Sequence, residues 1–177
     1  YYNSLGNLDE DEVEELIHLK ERSGVLGYLM VPVTTTVKIL FASFCIYTGL
    51  FLTGSSIEFK KIFRIALFAE VAFVLATLLR LVILAFFTSV DNFDELRSFA
   101  PLSLYSLIGS APSYLIYPLQ TINAFEILYC FLLAAGLQYF LKWQIKKKML
   151  VVLCSYGLGL LAWMIFVGFL NVNFLTR

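Results

Sequence analysis

Four ionisable residues lie inside apolar stretches that are long enough to cross a lipid bilayer: Lys38, Glu70, Arg80 and Glu126. A charged side chain costs ~2.5–3.5 kcal/mol at the centre of a membrane helix on insertion scales, so it is rarely left there alone. Carboxylates at such positions can relay protons or ions, and oppositely charged pairs can fix how helices pack. Two cations and two anions therefore indicate a polar seam inside a bundle of several helices.

The positions of these charges along their helices predict two ion pairs. Lys38 and Glu70 fall near the middle of two consecutive apolar helices, at a rise of ~1.5 Å per residue. Arg80 and Glu126 share a depth nearer the opposite membrane face. We predict the pairs Lys38–Glu70 and Arg80–Glu126, which would set helix register. A proton relay with Glu70 as the titrating group is the functional alternative, and Arg80 could instead contact a lipid headgroup.

Small and neutral polar side chains accompany these charges. Asn123 lies three residues before Glu126, and we expect both on the same helix face. The threonines at 34–36 can bond their own helix backbone or a neighbouring helix. Such groups can line a wet cavity, or they can join helices at ~0.6 kcal/mol per hydrogen bond, and we favour the second interpretation. Ser155 and Gly159 form a small-x-x-x-small pair, which permits close approach of two helices.

The composition places the chain in a membrane. Of its 177 residues, 60% are hydrophobic and 15% are charged, with a mean hydropathy of +0.82. Soluble domains carry roughly 25% charged residues, and a soluble fold of this size could not bury so much apolar surface. The formal net charge is zero, but seven of the thirteen acidic residues lie in the first 21 positions, so net charge says little about partners.

The hydropathy pattern predicts an all-α integral membrane protein with four spanning helices in this chain. Each apolar run reaches the ~20 residues that a bilayer requires. Residues 1–24 are predicted to form an acidic amphipathic helix and linker outside the cytoplasm, with the helix ending at Ser23-Gly24. Prolines and interleaved tyrosines at 98–118 predict an interfacial or re-entrant segment. The transmembrane domain is then 25–177, with spans at about 28–53, 61–88, 119–141 and 149–172.

Lysine and arginine residues near the helix ends predict the topology. Two short loops, 54–64 and 142–148, carry most of them and are expected in the cytoplasm, with both ends of this chain on the outer side of the membrane. The second loop is expected to contact anionic lipid, at ~1 kcal/mol for each basic residue. Its basic residues are Lys142, Lys146, Lys147 and Lys148. An outer N-terminal end without a signal peptide predicts a further helix upstream of Tyr1 in the intact protein.

The sequence carries no recognisable enzyme or metal-site motif. His18 is the only histidine, and with Glu14 it would supply two ligands at most, which is a poor metal site. Glu14-Glu15 resembles the paired glutamates of intramembrane CAAX-type proteases, but that motif requires an arginine where position 19 is leucine. The three cysteines are expected to be packing residues. We therefore predict no enzymatic activity, no cofactor, no metal and no nucleic-acid partner.

Several short segments carry a family resemblance. They are Phe59-Lys-Lys-Ile-Phe-Arg64, Pro101-Leu-Ser-Leu104, Ile122-Asn-Ala-Phe-Glu-Ile-Leu-Tyr129 and Leu132-Leu-Ala-Ala-Gly136. Through them, residues 57–172 resemble the bacterial branch of the Yip1-domain superfamily, and more narrowly poorly characterised polytopic membrane proteins of the Bacteroidetes group. The resemblance implies five spanning helices, which would include one upstream of this chain. Eukaryotic relatives are trafficking adaptors that bind small GTPases, whereas the bacterial branch has no settled activity.

Two functions are compatible with these observations. The first is a non-enzymatic subunit or scaffold of an inner-membrane assembly, whose partners are the lipid bilayer and other membrane proteins in a hetero-oligomeric complex. The alternative is a small transporter or permease component that uses a polar intramembrane seam centred on Glu70. Dry, fully paired charges favour the scaffold, whereas a water-filled vestibule that reaches Glu70 favours transport.

Overall fold

The computed structural model describes residues 10–86, 100–109 and 111–170, and in this part the chain is all-helical, as the sequence predicts. The helices are α1 (Glu10–Leu52), α2 (Phe59–Ala69), α3 (Val71–Phe86), α4 (Leu104–Ile108), α5 (Ser113–Thr121), α6 (Ala124–Gly136), α7 (Ile145–Val152) and α8 (Leu158–Leu170). Only Glu70 separates α2 from α3. A 3₁₀ turn, Leu137–Tyr139, follows α6, and a π-helical turn, Leu153–Gly157, joins α7 to α8.

Three helical stretches are long and apolar enough to cross a membrane: Tyr28–Leu52, Phe59–Phe86 and Ile145–Leu170. They correspond to the first, second and fourth predicted spans. The apolar helix Ala124–Tyr139 lies where the third span is predicted, but it is shorter than the other three. The described residues therefore support a membrane protein with three candidate spans.

The helix at the predicted third span begins at Ala124 and not near residue 119, because the backbone of Ile122 and Asn123 is extended, with ψ angles of 97° and 167°. The Leu104 N–H donates to the Ile122 carbonyl at 3.0 Å, and the Ala124 N–H donates to the Leu102 carbonyl at 3.1 Å. This short antiparallel bridge satisfies backbone groups that a continuous helix would pair internally. Consequently the residues before Ile122 form the separate helix α5, and the α6 helix starts at Ala124.

Two compact units divide the chain at Lys38 and Ile39. In the described part of the first unit, α1 continues through Ser23-Gly24, so the prediction that a separate helix ends there is wrong. A glycine inside a helix costs only about 1 kcal/mol, which flanking helical residues can overcome.

The α1 helix also continues through Pro32, which removes one backbone donor. The three threonine hydroxyls that follow donate to backbone carbonyls one turn earlier, at 2.7–2.9 Å. From the sequence, the threonines at 34–36 are expected to bond either their own helix backbone or a neighbouring helix. The structure shows hydrogen bonds to their own helix backbone. Side-chain bonds of this kind help membrane helices to tolerate proline.

The core of the second unit, which starts at Ile39, forms around α6. This helix packs against α2, α3 and α7. Small and medium apolar residues on α2 and α6, such as Ala66 and Leu133, are fully buried between them. Gly136 makes the α2–α6 contact close, because a Cβ atom there would collide with the Ile65 side chain. The α6 helix therefore forms the scaffold on which the polar side chains described below are positioned.

Small residues also let the second half of α1 approach the chain segment 153–170 closely. A Cβ atom built at Gly49 would lie 2.5 Å from the Ser155 Cβ, and one built at Gly159 would lie 2.7 Å from the Cys45 Sγ. Neither substituent fits unless a neighbouring side chain or helix shifts. The small-x-x-x-small pair at Ser155 and Gly159 thus permits close packing, as predicted.

Candidate functional site

Four polar side chains meet in the core of the second unit, and we refer to them as the polar cluster: Glu70, Glu126, Tyr129 and Tyr156. Glu126 and Tyr129 lie three residues apart on α6, so they share one helix face. Glu70 lies between α2 and α3, and Tyr156 lies in the π-helical turn before α8. The polar cluster therefore unites three separate parts of the chain.

The start of α6 fixes the position of Glu126. Asn123 is the N-cap residue of this helix, and its Oδ1 accepts a hydrogen bond of 2.8 Å from the Glu126 N–H. The Asn123 side-chain amide donates to the Gln120 carbonyl at 3.1 Å. Asn123 therefore caps the helix and does not share a helix face with Glu126, which corrects the sequence-based expectation. A negative charge in the first turn of a helix is favoured by the helix dipole.

A short hydrogen bond in the polar cluster joins Tyr156 to Glu126. The Tyr156 hydroxyl donates to Glu126 Oε1 at 2.6 Å, although the two residues are thirty positions apart. Glu126 is 9% exposed and Tyr156 is 1% exposed, so water contributes little to this contact. Hydrogen bonds to ionised groups contribute roughly 1.5–3 kcal/mol each, which makes this bond a substantial link between α6 and the last helical segment.

Tyr129 lies between the two carboxylates of the polar cluster. It interacts electrostatically with both Glu70 and Glu126, and its hydroxyl and Glu70 Oε1 are both buried. Its ring packs against Phe73 at a centroid distance of 5.1 Å and against Tyr156 at 5.4 Å, in tilted arrangements that favour aromatic contact. Tyr129 thus connects an apolar contact with α3 to the polar cluster.

Two irregularities of the helices lie at the polar cluster. The Glu70 N–H is shared between the carbonyls of Ala66 and Leu67, at 3.3 Å each, where α2 passes into α3. Tyr156 lies within the π-helical turn, a feature that often occurs at functional sites. Such irregularities change the direction in which a side chain leaves its helix, and here both of them involve residues of the polar cluster.

The charged residues selected from the sequence occupy different positions in the chain. Glu126 is buried, and Glu70 and Arg80 are half-buried in the second unit. Lys38, also half-buried, is the last residue of the first unit. The structure brings Glu70 and Glu126 together around Tyr129. The ion pairs Lys38–Glu70 and Arg80–Glu126 stay predictions.

The basic residues at 142–148 separate into two groups. Lys142, Lys146 and Lys147 are exposed, and the Lys147 ammonium lies 4.1 Å from the centroid of the Trp143 ring. Lys148 is only 1% exposed, because it lies on the face of α7 that is buried in the protein together with Val151 and Val152. The expectation that Lys148 contacts lipid alongside its neighbours is therefore corrected.

Sequence reasoning missed Tyr129 and Tyr156. A signal was present, because tyrosine prefers the membrane boundary and a tyrosine inside an apolar run needs a partner for its hydroxyl. Tyr129 could have been associated with Glu126 from their spacing of three residues. The position of Tyr156 depends on the π-helical turn, and the sequence pattern gives no sign of that turn.

Known metal-site geometries have no counterpart in the part of the chain that the structure describes, where no three His, Cys, Asp or Glu residues form a group that could hold a metal ion. The polar cluster itself offers two carboxylates and two phenols. These groups can accept, donate and share protons, and they can hold helices together by hydrogen bonds.

Comparisons of the chain with profiles of known protein families, with curated proteins and with solved structures found no match. The resemblance to the Yip1-domain superfamily therefore stays a prediction. Any functional assignment depends on the geometry of the polar cluster and on the surfaces around it.

Proposed function

We propose that the protein is a non-enzymatic subunit or scaffold of an inner-membrane protein assembly and that it is related to the Yip1-type membrane proteins. The observation that carries this proposal is the hydrogen bond of 2.6 Å between Tyr156 and Glu126. It uses a buried carboxylate to hold two helices in one register, which is a known use of buried polar groups. In this proposal, the polar cluster serves the packing of the helices.

The contacts of the polar cluster support a packing role. Glu126 accepts the hydrogen bond from Tyr156 in the π-helical turn, and the Tyr129 ring packs against Phe73 of α3 and against Tyr156. These contacts join α6 to α3 and to the last helical segment. Three cavities of about 430–570 Å³ in the described part of the chain are lined by residues outside the polar cluster.

The exposed apolar faces support a role in assembly. Of the residues of α3, only Ala72 is buried in the chain, and large side chains such as Leu78 and Phe86 are exposed. A membrane helix of this kind can face lipid or the helix of a partner. We propose that α3 contacts other membrane proteins in a hetero-oligomeric complex, with lipid covering the remainder.

The proposed topology uses the apolar helix Ala124–Tyr139 as a fourth crossing. At ~1.5 Å per residue this helix is about 24 Å long, and the ~30 Å hydrocarbon core would be thinned locally or completed by α5. The basic residues in the first two turns of α2 and the exposed lysines around the start of α7 then face the cytoplasm, and the protein lies in a bacterial inner membrane.

Purification from native membranes tests this proposal. The tagged protein, expressed at its natural level and extracted in a mild detergent, should elute in a complex larger than a homodimer, and mass spectrometry should identify other membrane proteins in stoichiometric amounts. A matched sample that carries the tag on an unrelated membrane protein identifies non-specific partners. A clean monomer or homodimer would contradict the proposal.

One observation favours the alternative function, a small transporter or permease component. Glu70 and Tyr156 both lie at irregularities of their helices, and irregular backbone in membrane helices often accompanies ion or proton sites. In this alternative, Glu70 would exchange a proton with Glu126 through Tyr129. A proton-flux assay in proteoliposomes distinguishes the two functions.

A further inference from the structure

A groove of about 570 Å³ lies between α2 and the chain segment formed by α6 and its 3₁₀ turn. We refer to it as the α2–α6 groove. Its volume is in the range of small-molecule sites, which run from roughly 300 to 1,000 Å³. The residues that matter for its chemistry are Lys61, Arg64, Phe68, Leu132, Gly136 and Tyr139.

The polar groups of the α2–α6 groove lie at one end. Lys61 and Arg64 are in the first two turns of α2, and Tyr139 is 89% exposed at the end of the 3₁₀ turn. The other end is lined by Phe68 and Leu132, which carry no polar atoms. An occupant of this groove must therefore be polar at one end and apolar at the other.

The charge at the polar end is positive. The Lys61 ammonium donates to Glu58 Oε1 at 2.8 Å, so its charge is partly compensated, and this contact lowers the pKa of the Glu58 carboxyl. Arg64 is exposed, and no other described residue forms a hydrogen bond or an ion pair with its guanidinium. Guanidinium presents a planar set of donors that matches the oxygens of a phosphate. The polar end is therefore suited to a phosphate group.

The apolar end can hold the part of an acyl chain nearest the headgroup. The groove follows α2 from Lys61 to Ala69, and the part beyond Arg64 is about 7.5 Å long at ~1.5 Å per residue. This is about half of the ~15 Å thickness of one hydrocarbon leaflet. Gly136 and Ile65, which pack directly on each other, also line the groove.

We propose that the α2–α6 groove binds one anionic phospholipid. Arg64 and Lys61 hold its phosphate, the Tyr139 hydroxyl lies at the headgroup level, and an acyl chain lies along Phe68 and Leu132. A lipid in this position covers the seam between α2 and α6, and it would make the packing of these helices sensitive to the anionic lipid content of the membrane.

Native mass spectrometry of the detergent-purified full chain tests this site. We expect one dioleoyl-phosphatidylglycerol to bind about tenfold more tightly than dioleoyl-phosphatidylcholine. Arg64→Gln should weaken phosphatidylglycerol binding about fivefold, in line with ~1 kcal/mol for one basic residue at a membrane surface. Lys60→Gln is the matched control, since Lys60 is exposed and close in sequence but outside the groove, and it should change binding less than about twofold.

Two further results separate a lipid site from other causes. Phe68→Ser, at an exposed wall residue, should weaken phosphatidylglycerol binding about threefold because the acyl chain loses its contact. Inorganic phosphate at millimolar concentration should leave the bound lipid in place. Displacement by phosphate alone, equal binding of the neutral lipid, or equal losses for Arg64→Gln and Lys60→Gln would each overturn the proposal.

Discussion

The Tyr156 hydroxyl donates a hydrogen bond of 2.6 Å to Glu126 Oε1 in the core of the second unit. This contact joins the first turn of α6 to the π-helical turn before α8. Because both residues are buried, neither can exchange its partner for water without cost. The relationship therefore makes the stability of the helix bundle depend on one carboxylate and one phenol.

Tyr156→Phe removes the donor and leaves the shape of the side chain almost unchanged. We expect a loss of about 1–3 kcal/mol, because the Glu126 oxygen loses a buried partner. In a chain of this size, each kcal/mol corresponds to about 2–4 °C in the thermal midpoint measured in detergent. Tyr28→Phe is the matched control. Because Tyr28 is 80% exposed, this variant should have the same thermal midpoint as the wild type. Equal midpoints for Tyr156→Phe and the wild type would show that the bond contributes nothing.

Gly136→Ala introduces a methyl group that collides with the Ile65 side chain. We expect a loss of about 1–3 kcal/mol, which is typical of overpacking, and a partial recovery when Ile65→Ala is added. Gly157→Ala is the control, because no atom lies within 4 Å of a Cβ built at that position. The free energy of unfolding is measured in detergent, by chemical or thermal unfolding, for the wild type, the two single variants and the double variant. If Gly136→Ala and Gly157→Ala were equally stable, the close contact between α2 and α6 would be refuted.

Lys148→Met replaces a side chain that is 1% exposed with an apolar one of similar length. No described residue accepts a hydrogen bond from the Lys148 ammonium or forms an ion pair with it, so the burial of this side chain is a cost. Replacing a buried charge with a well-packed apolar residue is often neutral or stabilising by 1–4 kcal/mol, so we expect a thermal midpoint equal to or above that of the wild type. Lys146→Met, at an exposed position, should have little effect. A lower midpoint for Lys148→Met alone would show that its ammonium makes a stabilising contact.

The Glu58 carboxyl, which lies outside the candidate spans, should make the stability of the folded chain depend on pH. Its hydrogen bond from Lys61 and the charge of that lysine lower its pKa. A lowered pKa means that this contact stabilises the folded chain above the ordinary glutamate pKa, and that the stabilisation is lost as pH falls through the lowered value. Lys61→Gln should therefore raise the Glu58 pKa in an NMR titration. Lys60→Gln should raise it less, because Lys60 acts only through space; an equal rise would contradict the assignment.

The sequence predicts three of the four spans, which correspond to candidate spans in the structure, because helix length and hydropathy are local properties. It fails at Ser23-Gly24, since a single weak helix former does not end a helix whose neighbours on both sides favour it. It also fails at Asn123, where a bridge to the segment around Ser103 ends α5 and starts α6. That bridge depends on contacts between residues distant in sequence.

The polar cluster is only half visible in the sequence. Glu70 and Glu126 stand out because a carboxylate in an apolar helix is expensive. Tyr129 is indicated only by its spacing of three residues from Glu126, and the direction of the Tyr156 side chain depends on a π-helical turn that the sequence pattern does not show. Lys148 shows the same limit, because a lysine in a basic loop has the same sequence pattern whether its side chain faces lipid or the protein core.

The most direct test of the packing role measures assembly and flux on the same proteins. The wild type, Glu70→Gln and Glu126→Gln are purified, their thermal midpoints and complex sizes are recorded, and proton flux is followed in proteoliposomes with a pH-sensitive dye. We predict that the proton flux of vesicles with the wild type does not exceed that of protein-free vesicles. We also predict that Glu126→Gln lowers the thermal midpoint and decreases the size of the purified complex. A wild-type flux that Glu70→Gln abolishes, with its midpoint and complex size unchanged, would contradict the packing role and establish the transporter alternative.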